Sequence, residues 1–174
     1  MEAPQAHLNP AQALDFTGKT VLVTGGGVGI GRAIAEAFAG AGATLFIAEI
    51  DPANADAVEQ AIPSARVIRC DVRDRATPRL LAEQIAAEAG KLDVLVNNVG
   101  HFVHARAFAD LVEDEIDLIL DTNLGQVLRM TSAMIPLLRK AGRGSSIINI
   151  TSIEAHRGIP GCTVYAAGKW GMTG

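Results

Sequence analysis

Five short apolar runs alternate along the chain with segments in which apolar residues recur at helical spacing. The runs predict β-strands at Thr20–Thr24, Thr44–Ile50, Arg66–Cys70, Leu92–Asn97 and Ser146–Thr151. The helical spacing predicts helices at Ile30–Ala41, at Pro52 onward behind an Asp51 N-cap, at Thr77–Ala89, through Val112–Lys140 in one or two pieces, and from Thr163 onward. Because the strand runs are continuous rather than alternating, we expect burial on both faces, as in a parallel sheet covered by helices. The pattern therefore predicts a doubly wound α/β domain.

Composition narrows the classes of protein that fit this pattern. The chain has 174 residues, 49% of them hydrophobic, and a net charge of −4, so it has the core of one globular domain and no basic surface for nucleic acid. Its apolar runs are shorter than the roughly 18 residues that a membrane span needs. Residues 1–15 lack the basic and apolar regions of a signal peptide, and we expect a flexible tail and a cytoplasmic protein. Cys70 and Cys162 form no disulfide or zinc pattern.

Two phosphate-loop spellings overlap near the first strand. A triphosphatase loop ending at Gly18-Lys19-Thr20 would need its first glycine at Ala13, and it would precede a strand instead of following one. The glycines of 26–31 have the right spacing, but Arg32 follows them where lysine is required. The alternative is a dinucleotide turn between strand and helix, formed by Thr24, Gly25, Gly29, Ile30 and Gly31. It remains open at this point whether these residues instead form a flexible glycine turn that binds no ligand.

Six motifs in order resemble the short-chain dehydrogenase/reductase family. They are TGGGVGIG at 24–31, CDV at 70–72, NNVG at 97–100, Asn123, ITS at 150–152, and Tyr165 with Lys169. Each is weak alone, but their order, with Ser152 thirteen residues before Tyr165, is specific. The resemblance runs from about Phe16 to the end of the chain. It implies a Rossmann-type sheet in strand order 3-2-1-4-5, with helices on both faces and without the family's last strands.

The resemblance assigns the catalytic roles. Tyr165 is expected to move a proton to or from the substrate oxygen, Lys169 to assist it and hold the cofactor ribose, and Ser152 to orient the substrate. Asn123 is expected to hold a water in the proton relay. Tyr165 and Lys169 share a helix face at i,i+4, and a cation about 4 Å from a phenolate stabilises it by about 4 kcal/mol at an effective dielectric near 20. There is an alternative without function for each. Tyr165 and Lys169 could be an ordinary surface pair, Ser152 could cap a helix or lie in a loop, and Asn123 could be merely tolerated in a helix.

The cofactor residues follow from the same resemblance. Glu49 lies 18 residues after Gly31, near the spacing of a carboxylate that binds the adenosine ribose. Such a carboxylate repels a 2′-phosphate, and Val28 stands where NADP-preferring relatives often carry a basic residue, so NAD(H) is favoured over NADP(H). Glu49 facing solvent is the alternative. The remaining residues expected to bind the cofactor are Asp71 and Val72 at the adenine, with Asn98 and Gly100 after the fourth strand; Asp71 acting only as a cap is left open.

The resemblance also implies a small-molecule alcohol or ketone substrate and a homodimer or homotetramer formed through the helices near 112–140 and 163 onward. The chain ends at Gly174, soon after Lys169, where family members continue. We therefore expect residues 16–174 to form a dinucleotide-binding domain that is incomplete at its C-terminus, with the fifth strand as an uncovered edge. A catalytically inactive dinucleotide-binding or interaction module is the first alternative, and an epimerase or dehydratase the second.

Three histidines lie near these motifs. His101 and His104 stand at i,i+3, and His156 lies with Cys162 between Ser152 and Tyr165. Without a carboxylate nearby this is weak support for a metal site, and we expect none. The histidines and Cys162 are expected to line the substrate mouth or to face solvent.

Overall fold

A computed structural model of the chain describes residues 14–103 and 105–174. The expected tail therefore lies outside the described residues except for its last two positions, and so does His104. The strands are β1 (Thr20–Thr24), β2 (Thr44–Glu49), β3 (Arg66–Arg69), β4 (Val94–Asn97) and β5 (Ser146–Asn149). The helices are α1 (Gly29–Gly40), α2 (Pro52–Ala61), α3 (Thr77–Glu88), α4 (Glu113–Leu120), α5 (Gln126–Ala141) and α6 (Thr163–Gly171). Every predicted strand and helix is present, with bounds shifted by two residues or fewer in all the strands.

The five strands form one parallel sheet in the order β3-β2-β1-β4-β5. Val23 in β1 lies between Ile47 of β2 and Val96 of β4, and this register brings the carboxyl ends of the three central strands to one edge. The predicted strand order is confirmed. The chain moves outward from β1 in one direction through β2 and β3, then crosses to β4, so a crevice opens at that switch point.

Apolar side chains fill both faces of the sheet. On one face, Leu22 and Leu95 pack with Ile85 of α3 and Met130 of α5. On the other, a second buried cluster holds residues of α1 and α2 against the sheet, including Val21, Val23, Ala35, Ile47 and Val58. Helices therefore cover both faces, as the continuous apolar runs predicted.

The two edge strands depart from that prediction. No residue of β3 is buried, and β5 is more exposed still. All four residues of β5 are exposed, and Ile147 and Ile148 retain 42% and 40% of their accessible surface. Burial on both faces was therefore a wrong expectation for this strand, because β5 is at the edge of the sheet and an open apolar groove lies beside it. That groove, about 680 Å³, is lined by Phe16, Ile34, Phe38, Val96 and Ile148, among others. The expectation of an uncovered edge at β5 is confirmed for the described chain.

Helix termini follow the predicted signals where those signals are local. The Asp51 carboxylate accepts a hydrogen bond from the Asn54 N–H at 3.0 Å, and Pro52 is the first residue of α2. Between α4 and α5 the chain continues through one wider π-type turn, Asp121–Gly125, so the long helical segment is in two pieces. This turn carries Asn123. Among the described residues, every helix is too short or too polar to cross a lipid bilayer.

Candidate functional site

A crevice of about 300 Å³ lies at the carboxyl ends of the central strands. Its walls come from the ends of β1, β2 and β3, from the segment after β4, and from the turn between α4 and α5. The lining residues include Gly25, Glu49, Asp71, Val72, Val99 and Thr122. The predicted cofactor residues at four separate places in the sequence are thus in or beside one cavity.

The glycine turn is shaped by close approach and by backbone conformation. Gly25 and Gly29 have φ of 63° and 58°, in the left-handed region that favours glycine. Gly31 does not, but a Cβ there would overlap the carbonyl oxygen of Gly25 and lie 2.5 Å from the Asn98 side-chain nitrogen. The start of α1 therefore packs directly against the end of β1, which only a glycine permits.

Asn98 ties the ends of β1 and β4 together. Its Nδ2 donates to the carbonyl oxygens of Thr24 and Gly25, both at 3.0 Å, and its N–H donates to Thr24 Oγ1 at 3.0 Å. Ile30, one of the predicted cofactor residues, is exposed at the start of α1. Among the described residues no side chain caps α1, which leaves the N–H groups of its first turn free for an anion.

Glu49 is buried, with 5% of its surface exposed. Its Oε2 accepts a hydrogen bond from the Gly27 N–H at 2.9 Å, and its Oε1 accepts from the N–H groups of Ile50 at 2.9 Å and Asp51 at 3.0 Å. The carboxylate therefore holds the glycine turn against the end of β2 while lining the crevice. The spacing after Gly31 drew attention to Glu49, but no sequence signal indicated its contact with Gly27.

Asp71 and Val72 form the wall that follows β3. The Arg73 guanidinium binds the Asp71 carboxylate, with Nη2–Oδ2 at 2.7 Å, and this hydrogen bonding holds the pKa of Asp71 below its usual range. Val72 is buried and lines the crevice. Just before them, burial raises the pKa of the Cys70 thiol to about 11, so this cysteine is inert at neutral pH.

Lys169 and Tyr165 do not line this crevice but lie beside the segment that follows β4. Lys169 is 3% exposed. Its Nζ donates to the Ile150 carbonyl oxygen at 2.9 Å and lies 6.0 Å from the centre of the Tyr165 ring. No carboxylate pairs with it among the residues that the structure describes, and burial lowers its pKa. A Cβ on Gly100 would overlap Lys169 Nζ and lie 3.0 Å from Asn123 Oδ1, so these three residues meet at one point.

The side chain of Asn123 is committed to the backbone. Its Oδ1 accepts from the His101 N–H at 3.1 Å, and its Nδ2 donates to the carbonyl oxygens of His101 at 2.8 Å and Ile119 at 2.9 Å. It thereby fixes the chain just after Gly100. Both Nδ2 hydrogens are thus used, and Oδ1 keeps one acceptor position to which a relay water could donate.

Ser152 also lies outside the lining of the crevice, and it is not joined to Tyr165 by a hydrogen bond within residues 14–103 and 105–174. Ser152 Oγ accepts from the Glu154 N–H at 3.2 Å and caps a short 3-10 turn at Ile153–Ala155. The Tyr165 ring stacks on Phe102, with centroids 4.1 Å apart and planes inclined by 22°. Phe102 carried no recognisable sequence signal.

The histidines near the site have other contacts. His101 Nδ1 accepts from the Val103 N–H at 2.8 Å, and the His156 ring meets the Trp170 ring edge-on at 5.5 Å. Cys162 is buried, and burial raises its pKa. In the described part of the chain, no group of three or more His, Cys, Asp or Glu side chains is arranged to hold a metal ion.

The chain is similar to known proteins in both sequence and structure. Residues 19–174 match the sequence model of the family described as short chain dehydrogenase. The chain is 34% identical over 163 residues to L-fucose dehydrogenase from Bos taurus, covering 94% of this chain and 60% of that protein. It is 35% identical over 162 residues to the 3-oxoacyl-[acyl-carrier-protein] reductase of Escherichia coli strain K12, covering 92% of this chain and 66% of that protein.

A solved structure agrees. A short-chain dehydrogenase from Streptomyces avermitilis superposes with a TM-score of 0.82 at 34% identity, over 88% of this chain and 56% of the other. The chain thus spans about 60% of the length of the relatives that it matches. From the match over residues 19–174, the shared fold and the identity to several relatives, the chain belongs to the short-chain dehydrogenase family.

Proposed function

We propose that the protein containing this chain is an NAD(H)-dependent oxidoreductase that interconverts an alcohol and a carbonyl compound. The observation that carries the proposal is the buried Lys169 ammonium, one helical turn after Tyr165 and without a carboxylate partner among the described residues. Moving a single charge from water into a protein interior costs several kcal/mol if no opposite charge pairs with it. Such charges cluster where chemistry uses them.

The residues of the crevice fit a nicotinamide dinucleotide. The packing of Gly31 on Gly25 and the free first turn of α1 suit a pyrophosphate, which needs close backbone approach and N–H donors. Glu49 offers carboxylate oxygens at the end of β2, where they would accept from ribose hydroxyls and repel a 2′-phosphate. This supports NAD(H) over NADP(H). When bound, such a cofactor supplies the acceptor or donor of hydride.

The chain's own residues would manage the proton. In oxidation, Tyr165 takes the proton of the substrate hydroxyl while the carbon gives up hydride, and in reduction both move in the opposite direction. Lys169 stabilises the negative charge of the deprotonated Tyr165 because its own charge is shielded from water. Ser152 Oγ would turn from the Glu154 N–H towards the substrate oxygen. Asn123 would act by holding the His101 backbone, and with it the neighbouring Gly100, which lies against Lys169.

A secondary alcohol or ketone is the substrate class that this chemistry favours; the two named relatives are a dehydrogenase of L-fucose and a reductase of 3-oxoacyl-[acyl-carrier-protein]. We also propose a homodimer or homotetramer formed through α5 and α6. Leu128 on α5 and Trp170 on α6 are 61% and 59% exposed, and exposed large apolar side chains favour association.

The test is thermal unfolding of the 174-residue chain with NAD+, with NADP+ and with neither, followed by turnover of an alcohol panel. At about 100 times its dissociation constant, a specific ligand adds roughly 2.7 kcal/mol to stability. We expect a clear shift with NAD+ alone, and loss of turnover without loss of that shift in Tyr165→Phe. Equal shifts with NADP+ would contradict the assigned role of Glu49, and turnover by Tyr165→Phe would contradict that of Tyr165.

A second candidate is a dinucleotide-binding or interaction module without turnover. The exposed β5 edge and the open apolar groove beside it favour this reading, because such surfaces bind other chains. An NAD+ shift without oxidation or reduction of any substrate in the panel would support it.

A further inference from the structure

Arg129 on α5 links three segments of the fold. Its Nη1 and Nη2 bind the two carboxylate oxygens of Asp121 at 2.6 and 2.9 Å, and Nη2 also donates to the Arg73 carbonyl oxygen at 3.2 Å. Asp121 is the first residue of the wide turn between α4 and α5, and Arg73 lies in the segment that follows β3. A two-pronged contact of this kind fixes direction as well as distance, which a lysine cannot do.

This arrangement is maintained at a cost. The Arg129 side chain is 24% exposed, and its Nε is buried without a hydrogen-bond partner among the described residues. Leaving a buried donor unpaired is energetically unfavourable. A Cβ on Gly125 would overlap Asp121 Oδ1 and lie 3.2 Å from Arg129 Nη1, so a larger residue at position 125 would displace the Asp121 carboxylate.

The carbonyl that Arg129 binds belongs to a wall of the cofactor crevice. Asp71, Val72 and Arg73 line that wall, and Thr122 lines the crevice from the turn that Asp121 opens. One guanidinium group therefore connects the backbone of one wall with the first residue of the segment that forms the other. This connection lies on the β3 side of the crevice, whereas the backbone of His101, which also lines the crevice, is held separately by Asn123.

We propose that Arg129 is a positioning residue that sets the adenosine-binding part of the crevice through Asp121 and the Arg73 carbonyl. This role rests on the proposed dinucleotide function. It goes beyond that function because Arg129 itself does not line the crevice and would touch neither cofactor nor substrate.

The experiment compares the affinities of wild type, Arg129→Met, Arg129→Lys and Arg139→Met for three probes: NAD+, ADP and nicotinamide mononucleotide. Arg139 is the matched control because it is on the same helix, is exposed, and has no side-chain partner among the described residues. Calorimetry gives each dissociation constant. Amide hydrogen exchange at residues 71–73 reports on the wall in the unliganded chain.

Arg129→Met is expected to weaken NAD+ and ADP about tenfold, the lower end for loss of a charge-assisted hydrogen bond, and nicotinamide mononucleotide less than about twofold. Arg129→Lys is expected to resemble Arg129→Met, Arg139→Met to resemble wild type, and exchange at 71–73 to rise only in the Arg129 variants. If Arg129→Met does not fold, Arg129→Lys decides the question.

Two results would overturn the proposal and are separable. Equal affinities of wild type and folded Arg129 variants for ADP, or equal weakening of all three probes, would remove the positioning role and leave the dinucleotide function standing. No binding of NAD+ or ADP by wild type would instead overturn the dinucleotide function, and the positioning role with it.

Discussion

The Glu49 carboxylate offers a direct test of how the glycine turn is held. Glu49→Gln keeps the size of the side chain but replaces one oxygen by an NH2 group, which donates and does not accept. Oε1 receives two N–H groups and Oε2 receives one, so the amide oxygen is expected to stay with Ile50 and Asp51. The new NH2 group then faces the Gly27 N–H, donor against donor.

The magnitude follows from those contacts. A hydrogen bond to a charged group contributes about 1.5–3 kcal/mol, and a buried donor left unpaired costs about 1–3 kcal/mol. Losing the Gly27 contact and weakening the other two should therefore lower the free energy of unfolding by about 3 kcal/mol. For a domain of this size each kcal/mol shifts Tm by roughly 2–4 °C, so we expect a fall of about 6–12 °C.

The assay is thermal unfolding of wild type, Glu49→Gln and Glu36→Gln. Glu36 is an exposed carboxylate on α1 that pairs with Arg32 at 2.7 Å, and losing such an i,i+4 pair costs only about 0.5 kcal/mol. NAD+ is expected to stabilise Glu49→Gln less than wild type, because the turn and the ribose acceptor are both impaired. A Tm for Glu49→Gln within about 2 °C of the Glu36→Gln control would refute the reasoning, since it would leave no room for the Gly27 contact.

Two further substitutions test the turn and the buried lysine. Gly31→Ala is expected to abolish the stabilisation by NAD+ in thermal unfolding, because the new Cβ would overlap the Gly25 carbonyl oxygen. Gly40→Ala on the same helix is the control, because its Cβ would meet no described heavy atom within 4 Å. It should raise the free energy of unfolding by about 0.5–1 kcal/mol. Burial lowers the pKa of Lys169 below its usual 10.5, so between the folded value and 10.5 the unfolded chain binds more protons and stability rises with pH. Urea unfolding at several pH values should show wild type gaining stability relative to Lys169→Met as the pH rises towards 10.5, and a pH-independent difference would contradict the burial of an unpaired ammonium.

Local sequence signals predicted the elements well because few alternatives compete with them. Thr20–Thr24 is a strand at the predicted residues, and the Asp51-Pro52 pair starts α2 as its capping chemistry indicates. The apolar run of β5 by itself predicted burial of Ile147 and Ile148, because such a run is the same whether a helix covers the strand or not. Burial at an edge depends on what packs there, which the strand's own residues do not encode.

The site was predicted as a set of residues but not as a set of contacts. Gly25, Gly31 and Asn98 meet at one place, as motifs recognised in order led us to expect. The contact between Glu49 and Gly27 joins residues 22 positions apart through a turn whose shape no local rule specifies. The stacking of Phe102 on Tyr165 is equally non-local.

The wide turn Asp121–Gly125 holds two residues whose side chains contact other segments beside the crevice. A π-type turn inserts one residue into a helix, and such turns commonly occur at functional sites. Here Asp121 faces Arg129 and, through it, the wall after β3, while Asn123 faces the backbone of His101 beside Lys169. A change that regularised this turn would therefore disturb the contacts to the segment after β3 and to the segment after β4 together. The turn thus connects the segment after β3, through Asp121 and Arg129, with the segment after β4, through Asn123.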